Sequence, residues 1–269
     1  MTIVTDLSYL VSISLFILGL KLLSSPRTAR RGNRLSMLGM FIAVVITLWD
    51  RQIIDFRYII AGVVIGSLIG IFLSLRVQMT AMPQMVALLN AFGGAASGLV
   101  ALSQFVRQTI EFDVVTTITI TLSIFIGMLT FTGSVVAFAK LQELIKSAPI
   151  VFPGQKAFNF LLVAAILGLG AVFVGGSHSL GLTLLIVIFV LSSLVGILLV
   201  LPIGGADMPV VIALLNSYSG IAAATTGFVI DNYILIVSGA LVGASGIILS
   251  DIMCKAMNRS LANVLFGAV

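Results

Sequence analysis

Runs of apolar residues recur along the chain, separated by short stretches in which charges, prolines and polar residues gather. A helix needs about 20 largely apolar residues to cross roughly 30 Å of hydrocarbon. Dividing the chain at its interruptions predicts nine such helices: Leu7 to Leu23, Leu35 to Trp49, Tyr58 to Leu75, Pro83 to Phe105, Val114 to Ala139, Ala157 to Val174, Leu180 to Leu201, Met208 to Ile230 and Asn232 to Met253. The expected fold class is therefore an all-α integral membrane bundle, with residues 1–269 forming one transmembrane domain.

Composition agrees with this pattern. Hydrophobic residues make up 60% of the chain and charged residues 9%, with a mean hydropathy of +1.26, whereas a soluble domain carries about 25% charged residues. The formal charge is +5, and a basic excess in a membrane protein sets orientation, so nucleic-acid binding is set aside. Connections after the odd-numbered spans hold Lys21, Arg27, Arg30, Arg31, Arg34, Arg76, Lys140, Lys146, Lys156, Lys255 and Arg259, leaving only Arg51, Arg57 and Arg107 for the other side. That asymmetry predicts an outer N-terminus and a cytoplasmic C-terminus. Tyr9, Trp49, Tyr58 and Tyr233 fall at the predicted outer ends, where amphipathic rings favour the interface. Asp6 precedes the first apolar run without a basic leader, so that run is expected to stay as a membrane helix and not be cleaved. With one cysteine, Cys254, and one histidine, His178, no intramolecular disulfide and no metal cluster is expected.

A shift of 126 residues aligns Ser67–Leu75 with Ser193–Leu201, Met82-Pro83 with Met208-Pro209, Ala87–Asn90 with Ala213–Asn216 and Gly94 with Gly220. Spans 3–4 and 7–8 thus read as a parallel duplication, an arrangement in which transporters place sites between repeats. Asn90 and Asn216 each lie seven residues beyond the proline that opens their span, about 10 Å from that helix end. Ser134 on the fifth span and Ser245 on the ninth approach a similar depth from the other direction, while Ser217, Tyr218 and Ser219 surround Asn216. Two readings stand for this polar layer. Amides in hydrocarbon can act as glue between helices, for about 1 kcal/mol each, or amides and hydroxyls can hold a chain of waters that conducts protons.

Other features read more simply. Gly62, Gly66 and Gly70, and Gly239, Gly243 and Gly246, have spacings that let helix backbones approach closely. Gly168–Phe173 lacks the last glycine of a dinucleotide loop and sits in apolar sequence, so no nucleotide fingerprint is present. Asp207 stands at the start of the eighth span, where a helix dipole favours an acid. Asp251, Lys255 and Arg259 recur every four residues, as in a salt-bridge row at a helix end. His178 lies in a short outer turn and reads as solvated, or as a residue at the outer mouth of a proton path.

Four strings, Gly204–Val211, Leu214–Gly220, Thr130–Phe138 and Ile252–Ser260, closely resemble the β subunit of proton-translocating NAD(P) transhydrogenase, and the resemblance spans essentially the whole chain. It implies an enzyme that passes hydride between NAD(H) and NADP(H) while a proton crosses the membrane, with both nucleotides on separate soluble domains and none bound by this segment. It further implies an NADP(H)-binding domain following the C-terminus, α-type partner subunits carrying the NAD(H) domain and further membrane helices, a homodimer of the complex, and residence in a bacterial inner membrane in the split-subunit arrangement. By position, Asn216 resembles a residue implicated in proton transfer and Asp207 a loop acid linked to coupling. Lys255 and Arg259, with Asp251 beside them, match the strip leading into the NADP(H) domain. Some relatives carry a titratable histidine where this chain has Asn90, so a partner segment is expected to supply a protonatable group. A secondary transporter or channel framed by the repeat, and a non-conducting scaffold with a dry, fully paired polar layer, are the alternatives from other classes.

Overall fold

A computed structural model of the chain describes residues 3–50, 56–107, 113–176 and 180–266. The described residues contain helices and no strand, and nine helices are long and apolar enough to cross a membrane. The chain divides into two compact units, residues 1–77 and 78–269.

The first unit contains α1 (Ile3–Leu23), α2 (Ala29–Asp50) and α3 (Arg57–Arg76). Helix α2 begins six residues before the expected Leu35, taking Arg30, Arg31 and Arg34 into its first turns. Basic side chains at a helix end can reach the interface, so charge does not stop the helix there. Helices α1 and α2 pack through Ser12 Oγ, which donates to the Gly39 carbonyl at 3.0 Å, and through a 3.1 Å bond between the Tyr9 and Thr47 hydroxyls. Tyr9 is 5% exposed, so its ring belongs to a helix interface and not to the aromatic belt. Trp49, Tyr58 and Tyr233 are exposed. Helix α3 buries no residue, and the ideal Cβ positions of Gly62, Gly66 and Gly70 meet nothing within 4 Å. Its glycine spacing therefore packs against no described neighbour.

The second unit contains α4 (Met82–Arg107), α5 (Val114–Leu141), α6 (Gln155–Val174), α7 (Gly181–Val200), α8 (Met208–Val229), α9 (Tyr233–Ala256) and the short α10 (Leu261–Phe266). Helix α5 is the hub, packed against α4, α7 and α8, while α6 covers α7 and α9 covers α8. The N-cap of α5 is Asp113, whose carboxylate accepts the Thr116 N–H at 2.9 Å. Hydrogen bonding from the Thr116 side chain, and then from its backbone N–H, holds the carboxyl below its ordinary pKa. Glycines bring helix backbones close together at two of these interfaces. A Cβ on Gly127 of α5 would stand 2.7 Å from the Gly94 carbonyl of α4, and one on Gly220 of α8 would stand 2.5 Å from the Gly243 nitrogen of α9.

The duplication is visible in local structure. Short 3₁₀ turns at Met79–Ala81 and Gly205–Asp207 are 126 residues apart and lead directly into α4 and α8. Helices α4 and α8 lie side by side, because Ser219 Oγ donates to the Asn90 carbonyl and Thr226 Oγ1 to the Ser97 carbonyl, a common offset of 129. Equivalent residues are thus displaced by three positions, about 4.5 Å along the axes.

Candidate functional site

The polar layer forms where α4, α5 and α8 meet. Asn90 is 7% exposed and Ser134 fully buried, and the Asn90 amide donates to Ser134 Oγ at 2.8 Å. Across α8, Ser219 Oγ reaches the Asn90 carbonyl at 3.4 Å, and Ser217 Oγ turns away to the Gly243 carbonyl of α9 at 2.5 Å. The half-buried Asn216 side chain takes no hydrogen-bond partner among the described residues. Ser245 stands apart from these groups. It is exposed on α9 and bonds only to the Val242 carbonyl of its own helix. The buried face of α9 runs through Gly239, Gly243, Gly246 and Ser250, and a neighbouring position is turned by about 100° from it.

The layer also extends further than those four residues. Thr119, Ser123, Thr130 and Ser134 are buried along one face of α5, at spacings of four, seven and four, which cover about 22 Å of helix. Ser123 Oγ donates to Thr225 Oγ1 of α8 at 2.8 Å, and Thr226 bonds across to α4. Thr130 Oγ1 is fully buried, lies one turn from Ser134 beside Gly94, and has no partner among the described residues. Buried hydroxyls are normally satisfied. Their helical spacing is legible in the sequence of the fifth span.

At the end of the bundle where α5 and α7 finish and α8 begins, the charged residues form a clasp. Asp207 is the N-cap residue of α8, yet its carboxylate caps no helix N–H. Both its oxygens accept from Arg259 Nη1, at 2.7 and 2.6 Å. The expected row on one helix face is interrupted, because α9 stops at Ala256 and Asn258 adopts a positive φ of 54°. Arg259 then returns its N–H to the Cys254 carbonyl at 2.9 Å, and its side chain crosses to α8. Asp251 and Lys255 remain a pair on α9 at 2.6 Å, both well exposed. His178 lies outside the described residues.

Lys140 was expected to be an orienting charge in a connection. It is the largest fully buried side chain instead. Its ammonium donates to the carbonyls of Leu201 (2.5 Å), Ile203 (2.7 Å) and Ala148 (3.4 Å). No apolar pattern in the fifth span could reveal this, since the two shorter bonds go to Leu201 and Ile203, more than 60 residues on in sequence.

A sequence profile of the NAD(P) transhydrogenase beta subunit family matches residues 5–269. The chain belongs to that family. Two curated relatives named NAD(P) transhydrogenase subunit beta, from Rhodospirillum rubrum and from its strain ATCC 11170, are each 44% identical over 271 residues. The alignments cover 98% of this chain and 58% of each relative, so the chain spans somewhat over half their length. The family name implies nicotinamide nucleotides, and the stretch nearest in sequence to a dinucleotide loop does not fit one. The glycine-containing stretch Gly168–Phe173 is the uninterrupted interior of an apolar helix, α6. A phosphate-cradling loop needs free backbone N–H groups at a helix start, which such an interior cannot offer. Among the described residues there is also no group of three potential metal ligands.

Proposed function

We propose that this chain is the membrane domain of a proton-translocating NAD(P) transhydrogenase. In this reading it conducts protons through the α4–α5–α8 seam and couples their passage to hydride transfer between NAD(H) and NADP(H) on soluble domains outside the segment. The observation that carries the reading is the incomplete pairing of the buried polar seam, above all the orphaned Thr130 hydroxyl. A scaffold that needed polar groups only as glue would pair them all. An unpaired buried hydroxyl among other hydroxyls and amides is suited to hold water, and water can relay a proton past side chains that do not titrate.

Asn90 and Ser134 orient that water, Asn216 faces it, and Ser245 is exposed toward a neighbour outside this chain. The clasp of Asp207 and Arg259, with Asp251 and Lys255 beside it, receives the NADP(H) domain. An α-type subunit supplies the titratable group and the NAD(H) domain, in a homodimer of the whole complex. The basic end of the bundle is cytoplasmic, by the distribution of lysine and arginine, and the membrane is the bacterial inner membrane, as the family resemblance implies.

The test is proton uptake into proteoliposomes during NADPH-driven reduction of an NAD⁺ analogue by the complete complex, with Asn216→Ala alongside. Hydride transfer and proton uptake are expected to fall together by about tenfold or more, roughly 1.4 kcal/mol of barrier. Full retention of both would make the seam glue and overturn the reading.

A further inference from the structure

We infer that Lys140 is a positioning residue for coupling, a buried cationic pin that holds the segment delivering Asp207 to Arg259. The inference rests on the functional reading above and deepens it at the charged end.

A helix leaves its last carbonyls without intrahelical donors, and buried carbonyls need partners. At the end of α7 these partners are brought in from elsewhere. Gln155, 1% exposed, donates to the Leu198 carbonyl at 2.9 Å. The Ile150 N–H and Lys140 Nζ both reach the Leu201 carbonyl. For the Ile203 carbonyl and the Ala148 carbonyl, Lys140 is the hydrogen-bond donor. An ammonium has three protons and no acceptor, and three carbonyls surround this one. No carboxylate of the described residues lies within 4 Å of it.

The pinned segment then runs four residues from Ile203 to Asp207. It is tied again on the way, where the Gly205 N–H donates to the Ser147 carbonyl at 2.9 Å, and Ser147 Oγ donates to the carbonyl of Lys140 itself at 3.1 Å. Asp207 makes no capping bond of its own. Its place is therefore fixed by the segment behind it, and that segment is fixed by Lys140. A change at the C-terminal end of α5, the helix that carries Ser134, is transmitted to the acid of the clasp through the Lys140 ammonium, with the Ser147 tie beside it. Methionine would fill the same space while taking their lysine donor from the Ile203 and Ala148 carbonyls, which separates the pin from simple packing.

The experiment uses the complete membrane complex and compares Lys140→Met, Asp207→Asn and the double variant. Lys140→Met is expected to lower kcat for coupled hydride transfer about tenfold with KM values within twofold. Asp207→Asn should add less than twofold on top of it, because both act through one contact. A Lys140→Met enzyme within twofold of the parent, or losses that multiply in the double variant, overturns the inference. Gly205→Ala is the milder second variant, since its Cβ would stand 3.2 Å from Ser147 Cβ and must displace the same segment. It should show the same kcat-only loss, and normal turnover there counts against the inference if Lys140→Met does not assemble.

A readout independent of turnover separates this inference from the functional reading. With Cys254→Ala as background, Asp207→Cys and Arg259→Cys are bridged by a short bis-methanethiosulfonate. The bridging rate should fall at least fivefold on adding Lys140→Met, and an unchanged rate overturns the pin. A parent complex that moves no protons during hydride transfer would sink the functional reading while leaving this rate measurable.

Discussion

At the scale of single residues, the same side-chain types do different work according to what their neighbours leave unsatisfied. Asn90 and Asn216 occupy equivalent positions of a duplicated pair, yet one is hydrogen-bonded to Ser134 and the other has no partner among the described residues. Asn90→Leu strands the fully buried Ser134 hydroxyl and is expected to cost about 1 kcal/mol. It should also slow proton-coupled turnover by more than that stability loss accounts for. Thermal denaturation of the purified complex, run beside the turnover assay, checks both parts. Equal and small effects on the two would mean that Asn90 is glue alone. The amides were legible from sequence because duplication marks them twice. The lysine was not, because a lysine after an apolar run looks like any orienting charge until α7 brings its carbonyls to it. Ser245 shows the converse, since depth along a helix can be counted from sequence but rotation about its axis needs the neighbour it packs on.

At the scale of elements, hydropathy alone located every span, and the boundaries moved where charge and helix are compatible. The start of α2 at Ala29 and the extension of α5 through Lys140 are both of this kind. Packing was legible where glycines meet glycines, as on α9, and misleading on α3, whose similar spacing faces nothing described. The α4–α5 contact is the tight one within the seam. Gly127→Leu pushes a side chain into the Gly94 carbonyl and should destabilise the pair by about 1–3 kcal/mol. The same substitution at Gly66 of α3 meets open space and should leave the melting temperature of this chain unchanged when both variants are purified in detergent. A fall at Gly66 equal to that at Gly127 would refute the packing described for α4 and α5.

At the scale of the molecule, the clasp is one ion pair, half open to solvent on its arginine side and largely covered on its aspartate side. Arg259 keeps 48% of its side chain in contact with solvent and Asp207 15%, and pairs of that kind contribute roughly 0–1 kcal/mol. Its charges suit the coupling role proposed above better than a stabilising one. Asp207→Arg is therefore expected to lower coupled turnover about tenfold while shifting the melting temperature little, and Asp207→Arg with Arg259→Asp should recover at least half of the parent rate. Failure of the reversed pair to recover would mean that the identity of the acid matters, beyond its pairing.

The turn at Met79–Ala81 repeats the turn at Gly205–Asp207 in shape and register, but it ends in alanine where its counterpart ends in aspartate. In stoichiometric terms, a duplicated architecture has kept a single acidic port. If that acid receives a soluble domain as proposed, each chain offers one such place, although its backbone carries the mould for two.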